Sequence, residues 1–324
     1  MTAFNTLAEF DQILFAAQNL VFEQKRDEQE TIYDKFTKPG DVSEEDYRDI
    51  DVAGLGLMAY TPLGGKNHQD SYKQGTAIIV KFPKYTISLV TPEETRKAML
   101  SNGRVKKDKV KLFSQSAEDF MRSANLTREY IAADLIIRAN STTATRSWAG
   151  TFRDGLALAS TSHTLLKSGA TWSNLQTGSA MTQLALLDGL AMLAAAPDEN
   201  GFPQGSIGDV LLVYGPYNQF RVTELLKTAT TPDTANLTVN PLAMKRERAG
   251  TGQIIPILDP FLGDSYTGWS LIDKRNHALT AFVKEEPQML NDRDVNSGNF
   301  ISRCMQRFAV YARSAKGVVH NPGL

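Results

Sequence analysis

Ser160, Thr161, Ser162, His163 and Thr164 stand side by side in "DGLALASTSHTLLKSGATWSN", residues 154–174. A hydroxyl beside an imidazole raises acyl transfer, which needs a base within hydrogen-bond reach of a serine and an oxyanion site, usually framed by a strained G-x-S-x-G turn. Neither Ser160 nor Ser162 sits in such a turn. Ser162 and His163 are adjacent, and adjacent side chains on an extended strand point to opposite faces, so the two would not meet. The run reads better as a hydroxyl-rich loop satisfying its own backbone. No catalytic residue is assigned, and a hydrolase using Ser160 or Ser162 with His163 stands as a rival reading.

Other chemistries leave no local signature. His68, His163, His277 and His320 are scattered, without His-x-x-x-His or Cys-x-x-Cys spacing, so no metal site is expected. "PLGGKNH" and "RAGTGQ" lack the G-x-x-x-x-G-K-[ST] pattern and a following helix to hold a phosphate, so no cofactor is expected. The one basic cluster is "RVKKDKVK", Arg104 to Lys111, either a solvated surface or a contact for an acidic neighbour or nucleic acid.

Composition bounds the class. The chain has 324 residues, 42% hydrophobic and 22% charged, with a formal net charge of -1, as expected of a globular protein without a global basic excess. A single cysteine, Cys304, excludes an intrachain disulfide framework and fits a reducing cytoplasm. Glu9 and Asp11 stand where a signal peptide wants a basic start and an apolar block, so matches to the glycosylation pattern at Asn125, Asn140 and Asn236 carry no weight. The most apolar stretch, "LALLDGLAMLAAAP", is interrupted by Asp188 and Gly189 and is shorter than the roughly 20 residues a membrane span needs. No membrane contact is expected.

The elements that must position these residues follow from periodicity. Phe4, Leu7, Ile13, Leu14, Leu20 and Val21 predict an amphipathic helix that turns into the charged "EQKRDEQETIYDKF" and the loop "TKPGDVSEEDYRD", an arm outside the core. "VAGLGLMAYTPL" and "TAIIVKFPKYTISLVT" predict strands flanking the polar tip "GGKNHQDSYKQG". Such a ribbon has no second layer to bury its apolar face, and it is expected to lie on another subunit. A long helix is expected from Ser116, capped with Asp119, to Ile137, burying Ala117, Met121, Ala124, Ile131 and Leu135. "GSAMTQLALLDGLAMLAAAPDENGFP" predicts a helix and "IGDVLLVYGPYNQFRVTELLK" a buried strand, turn and helix. After the loop "TATTPDTAN", "GQIIPILDPFL" and "GWSLID" predict short strands, and Phe308, Val310 and Tyr311 a terminal one. Helices and strands mix without alternation, which predicts α+β. A charged arm, a projecting ribbon and a long helix all need neighbours to cover them, as in an assembly protein.

The 154–174 stretch resembles the D-G-x-x-L-x-S-x-S-H…G-x-x-x-S-N signature of major capsid proteins of tailed double-stranded DNA phages, notably the Mu-like head subunits. Asp154, Gly155, Leu158, Ser160, Ser162, His163, Gly169, Ser173 and Asn174 match it. The resemblance continues through "VLLVYGPYNQFRVTELL", "NPLA", "IIPILDPFL", "WSLID" and "SRCMQRFAVYARSAKGVVHNPG". It implies the Johnson fold, divided here into an N-terminal arm (1–50), an extended loop with flanking strands (51–98), a peripheral domain with the spine helix (99–180), an axial domain (181–285) and a return to the peripheral domain (286–324).

The implied function is structural and non-enzymatic: hexamers and pentamers of an icosahedral virion shell around double-stranded DNA, built in the host cytoplasm. An encapsulin-type compartment subunit is the alternative. Because the sequence begins almost directly with the arm, the resemblance implies a separate scaffolding protein, with a portal, decoration proteins and non-specifically held DNA as further partners. The residues expected at inter-subunit contacts are Lys66, Asn67, His68 and Lys73 in the loop and Lys106, Lys107 and Lys109 in the basic cluster. Lys66 and Lys73 suggest the loop lysine that crosslinks some relatives, but no motif marks an acceptor, so no crosslink is assigned.

Overall fold

The computed structural model describes residues 7–28, 30–42, 44–61, 63, 66–95, 100–101, 104–105, 107–143, 152, 154–203, 208–228, 240, 242, 252–294 and 297–324. Lys106, most of the loop after Lys227 and most of "RAGTGQ" lie outside them.

Two four-stranded sheets form the body. The first runs β1 (Lys38–Gly40), β12 (Leu279–Arg293), β13 (Phe300–Ala312), β4 (Lys84–Thr91), with β1 parallel to β12 and the other pairs antiparallel. The second runs β10 (Ile254–Leu258), β9 (Val210–Tyr214), β11 (Trp269–Asp273), β14 (Val318–Asn321), with only β10 and β9 parallel. Every residue of β9, β11 and β14 is buried, because the second sheet is covered on both faces. Leu211, Val213, Ile272 and Val318 join a cluster with Phe282, Phe308 and Val310 of the first sheet. Leu212, Tyr214, Trp269 and Leu271 pack against Leu186 and Leu190 of α3 (Gln183–Ala194) and Val222 and Leu225 of α4 (Gln219–Lys227). Two-sided burial is why these strands read as continuous apolar runs. The α+β class expected from the sequence is the one observed.

The long helix α2 spans Lys107–Ile137, 31 residues and roughly 46 Å at 1.5 Å per residue. It begins nine residues before the expected Ser116. The segment "KDKVKLFSQ" holds no glycine or proline and several good helix formers, so nothing stops the helix there. Ser116 is therefore interior, and its hydroxyl accepts from Gln18 Nε2 at 3.3 Å instead of capping. The expected buried face holds: Ala117, Met121, Ala124, Ile131 and Leu135 are all buried.

The N-terminal helix α1 (Leu7–Glu28), expected outside the core, instead buries an apolar side chain in it. Its Phe22 is buried with Ala117, Phe120, Met121 and Ala124 of α2, Met289 of β12 and Cys304 of β13, and Phe15 stacks on Phe300 with ring centroids 4.7 Å apart. The amphipathic pattern found a partner in the chain's own helix.

The ribbon exists, with shifted limbs. β2 (Asp46–Ala53) pairs antiparallel with β3 (Lys73–Lys81). "TAIIVKFPKYTISLVT" is two strands broken at Phe82 and Pro83, and its second half, β4, belongs to the first sheet. At the ribbon's root Tyr47 packs on Phe282 at 4.7 Å, Val80 and Phe82 enter the main core, and Arg313 forks onto Asp49 at 3.0 and 3.1 Å. Two minor antiparallel pairs are β5 (Leu100–Ser101) with β6 (Arg104–Val105) and β7 (His163–Thr164) with β8 (Thr171–Trp172).

Replacing Ile131 by Asp would place an unpaired charge in the main core, so Ile131→Asp is expected to cost about 3 kcal/mol or more. Arg122→Ala, on the exposed face, should stay within about 0.5 kcal/mol. Urea unfolding of both variants checks the buried face of α2.

Candidate functional site

The 154–174 stretch folds as a turn closed by the β7–β8 hairpin. Gly155 and Gly169 hold φ of 73° and 70°, the left-handed region that favours glycine, and so set its two reversals. The serines serve backbone: Ser160 Oγ accepts the Ser162 amide at 3.3 Å, and the Ser160 amide donates to Asn174 Oδ1 at 2.8 Å. His163 is buried, its Nδ1 2.8 Å from Asp154 Oδ2, between the rings of Trp172 and Phe152. Burial works to raise the Asp154 carboxyl, but the bond to His163 and the Leu156 amide outweigh it and hold the group below its usual range. No hydroxyl bonds to His163 Nε2. The adjoining cavity, lined by Asp51, Thr164, Trp172, Glu199 and Lys316 among others, is about 30 Å³, the scale of one water. Neither serine is placed for attack assisted by this histidine.

Asn174 is the hub. Fully buried, it donates from Nδ2 to the carbonyls of Leu158 (2.8 Å), Ala315 (3.1 Å) and Val318 (3.1 Å), and its backbone exchanges bonds with Ser160 and His320. The motif thereby welds the turn to the C-terminal strand. The serine–histidine pair that does form is elsewhere: Ser270 Oγ and His320 Nδ1 lie 2.9 Å apart, directly opposite in the β11–β14 ladder, and both are buried. Fifty residues of separation hid that pair from local sequence reading.

The same turn reaches the ribbon. Lys167 Nζ contacts Asp70 Oδ2 at 2.7 Å and donates to Gly54 O at 3.0 Å, while Asp70 also accepts the Gly56 and Ser71 amides at 2.7 and 2.8 Å. The Lys167 bond, followed by those amides, holds the Asp70 carboxyl well below the usual carboxylate range. One ammonium thus grips both limbs at the root of the tip. These bonds take backbone groups that a ladder would use, which is why β2 ends at Ala53 and residues 54–61 form no strand. The apolar residues expected on a strand therefore lie in the tip, and Leu57, Met58, Tyr60 and Leu63 stand almost wholly exposed. The tip is not the polar feature its glycine-bounded half suggested.

Lys66, Asn67 and His68 are exposed in this tip, and Lys73 opens β3 opposite Ala53, also exposed. Lys106 lies outside the described residues; Lys107 and Lys109 fall in the first turn of α2, away from the loop lysines in the sequence, and only their backbone is described. Lys167 and Asp70 escaped the sequence reading because an ion pair 97 residues apart leaves no local pattern. Among the described residues no group of three or more His, Cys, Asp or Glu can hold a metal ion, and no helix is long and apolar enough to cross a membrane.

Four buried groups titrate in one window with opposite signs. Burial pulls His320 down to about 4, and burial with Lys38 pulls His277 to about 4. Burial pushes Glu129 up to about 7 and Asp259 up to about 6. The histidines contribute stability above 6.5 that is lost as pH falls through 4; the carboxyls contribute stability at low pH that is lost as pH rises through 6 to 7. The wild-type profile between pH 4.5 and 6.5 is expected to be shallow. His320→Asn removes one of the opposing groups, so its stability relative to wild type should improve by about 3 kcal/mol between pH 7 and 4, as read by denaturant midpoints across pH.

No protein-family model matches the chain, and no curated protein matches it. Solved structures do. The capsid of a native GTA particle aligns at TM-score 0.54 and 11% identity over 90% of this chain and 89% of that one. The capsid of cyanophage P-SCSP1u aligns at 0.52 and 12% over 91% and 89%, and the procapsid of bacteriophage JBD30 at 0.51 and 9% over 98% and 76%. By these alignments the chain has the Johnson fold of phage capsid proteins.

Proposed function

We propose that this chain is the major capsid subunit of a bacteriophage head, assembling as hexamers and pentamers into an icosahedral shell around double-stranded DNA. The observation that carries the reading is the ribbon tip. A chain with this fold holds Leu57, Met58, Tyr60 and Leu63 out in solvent on a pinned, two-stranded support, and such a cluster is stable only when another molecule covers it. A second copy is the neighbour a shell supplies. On this reading Lys66, Asn67, His68 and Lys73 meet the adjacent copy beside the apolar tip. Lys106, Lys107 and Lys109 meet either an acidic neighbour or the packaged DNA, without sequence preference. The resemblance of residues 154–174 to the Mu-like head subunits supports reading the chain as one of that kind. A scaffolding protein, a portal and decoration proteins complete the set of partners, and assembly takes place in the host cytoplasm.

A cargo-holding compartment would use the same subunit geometry, and electron microscopy of purified particles separates the two by whether protein or DNA fills them. Changing Met58, Tyr60 and Leu63 together to Ser removes the apolar tip while sparing every buried residue. The triple variant is expected to stay soluble and keep the wild-type unfolding midpoint while particle yield in the micrographs falls at least tenfold. Shells at wild-type yield would remove the tip from the assembly contact.

A further inference from the structure

The turn after α1 and the turn between β11 and β12 bring four cations together. Lys38 Nζ donates to the carbonyls of Arg275 and His277 at 2.8 and 2.7 Å, which sets the two turns side by side. Lys35 and Lys274 border one groove beside them. Lys35, Lys274 and Arg275 are exposed, and neither they nor Lys38 form an ion pair among the described residues. The carboxylates on the same segments are engaged elsewhere: Asp34 accepts from Thr31, and Asp273 accepts the Arg275 and Asn276 amides. Burial, helped by the Lys38 charge, holds His277 below its usual range, so the field of this patch is felt inside the fold. In a chain with a formal net charge of -1 the positive excess is local.

The groove that Lys35 and Lys274 border holds about 520 Å³ and is otherwise apolar. Ile32 lines it from the turn, and Ile255, Ile257 and Leu258 line it from β10. β10 is the outer strand of the second sheet, laddered only with β9 among the described strands. Pro256 at its centre has no N–H, so the free edge lacks a donor where an added strand would need one. A further strand is therefore a poor occupant.

A helix suits the site, because its backbone asks nothing of the groove. The five residues of β10 span roughly 17 Å, the length of about three helical turns. An aliphatic stripe would cover the apolar lining, and acidic residues beside the stripe would meet the four cations. Duplex DNA would meet the cations alone and leave the aliphatic lining uncovered. We infer that the groove between the turn at Ile32 to Lys35 and strand β10 docks a short amphipathic helix of a separate protein, one whose aliphatic stripe is flanked by glutamate or aspartate. This goes beyond the shell reading and does not rest on it, since a free subunit presents the groove whether or not it enters a shell.

The probe is a labelled synthetic helix of about 15 residues, with leucines at helical spacing and glutamates on both flanks, titrated into the unassembled full-length chain. One companion peptide carries lysine for each glutamate, another serine for each leucine, and a short DNA duplex is run beside them. The acidic leucine helix is expected to bind, and both companions to bind about tenfold more weakly or worse. Lys35→Glu with Lys274→Glu, at two exposed positions, should keep the wild-type unfolding midpoint and weaken binding by about tenfold or more. Changing Met58, Tyr60 and Leu63 to Ser should leave binding unchanged, which separates this site from the ribbon tip. Failure of the acidic helix to bind, equal binding of the acidic and basic helices, binding lost with the tip, or capture of the duplex in place of the acidic helix overturns the inference and leaves the shell reading standing. Carbodiimide coupling on the wild-type chain is a second measurement that needs no substitution. It joins a peptide carboxyl to a lysine amine as an amide, the carbodiimide taking up the released water as its urea. Peptide mapping should find adducts at Lys35 or Lys274, and adducts confined to other lysines would overturn the site.

Discussion

The step from Arg128 to Glu129, in the buried middle of α2, is the constraint on which the rest of the structure depends. Consecutive helical residues point in different directions, and here both are ionisable and buried. Arg128 Nε donates to Gln306 Oε1 at 2.8 Å, its Nη2 reaches Glu286 Oε2 at 2.9 Å, and its guanidinium lies over Phe308. Glu129 accepts the amides of Ile32 and Tyr33 at 2.6 and 3.2 Å, holding the turn that follows α1. One residue fixes the helix to the first sheet, and the next fixes the arm to the helix. The Arg128 charge and the Glu129 carboxyl are both costly to bury and more costly to leave without partners. On either side of this step α2 serves a different core: Ala117 to Ala124 with α1, and Ile131 to Ile136 with both sheets.

The sequence was most legible where one physical term dominated. "VLLVY" and "WSLID" are buried on both faces, and hydrophobicity alone marks them. The apolar face of α2 follows the helical period from Ala117 to Leu135. The longest strand, β12, was missed altogether. Its "KEEPQ" centre breaks the alternation, and the register shifts between Val283 and Glu285 and between Glu285 and Gln288 show that the ladder accommodates it by irregular pairing. The start of α2 was misplaced because Ser116 and Asp119 have the right spacing for a cap, while the actual start lies in a lysine-rich segment that opposes the helix dipole.

In the signature turn the reading of a hydroxyl-rich loop that satisfies its own backbone holds, while its long-range bonds were not foreseen. Ser160, His163 and Asn174 are the right residues to notice, but their work is architectural. The Asn174 amide shares its two N–H donors among three carbonyls and accepts the Ser160 amide at Oδ1, a combination of donor and acceptor that lysine or arginine lacks. Lys167, in the same turn, ties the ribbon to the body. Long-range polar bonds of this kind depend on tertiary placement, and no periodicity announces them.

On the proposed shell reading, the outer strand β4, laddered only with β13 among the described strands, also bears on what happens to a copy before it finds its place. With a formal net charge of -1, free subunits repel one another hardly at all. A strand that invites any extended partner then makes stray pairing a competitor of growth, and the outcome is decided by speed: capture at a growing rim against collision with another loose chain. The ordered, pinned ribbon shortens the search at that rim. Keeping loose copies scarce is accordingly as much a condition of success as the stability of the finished contact.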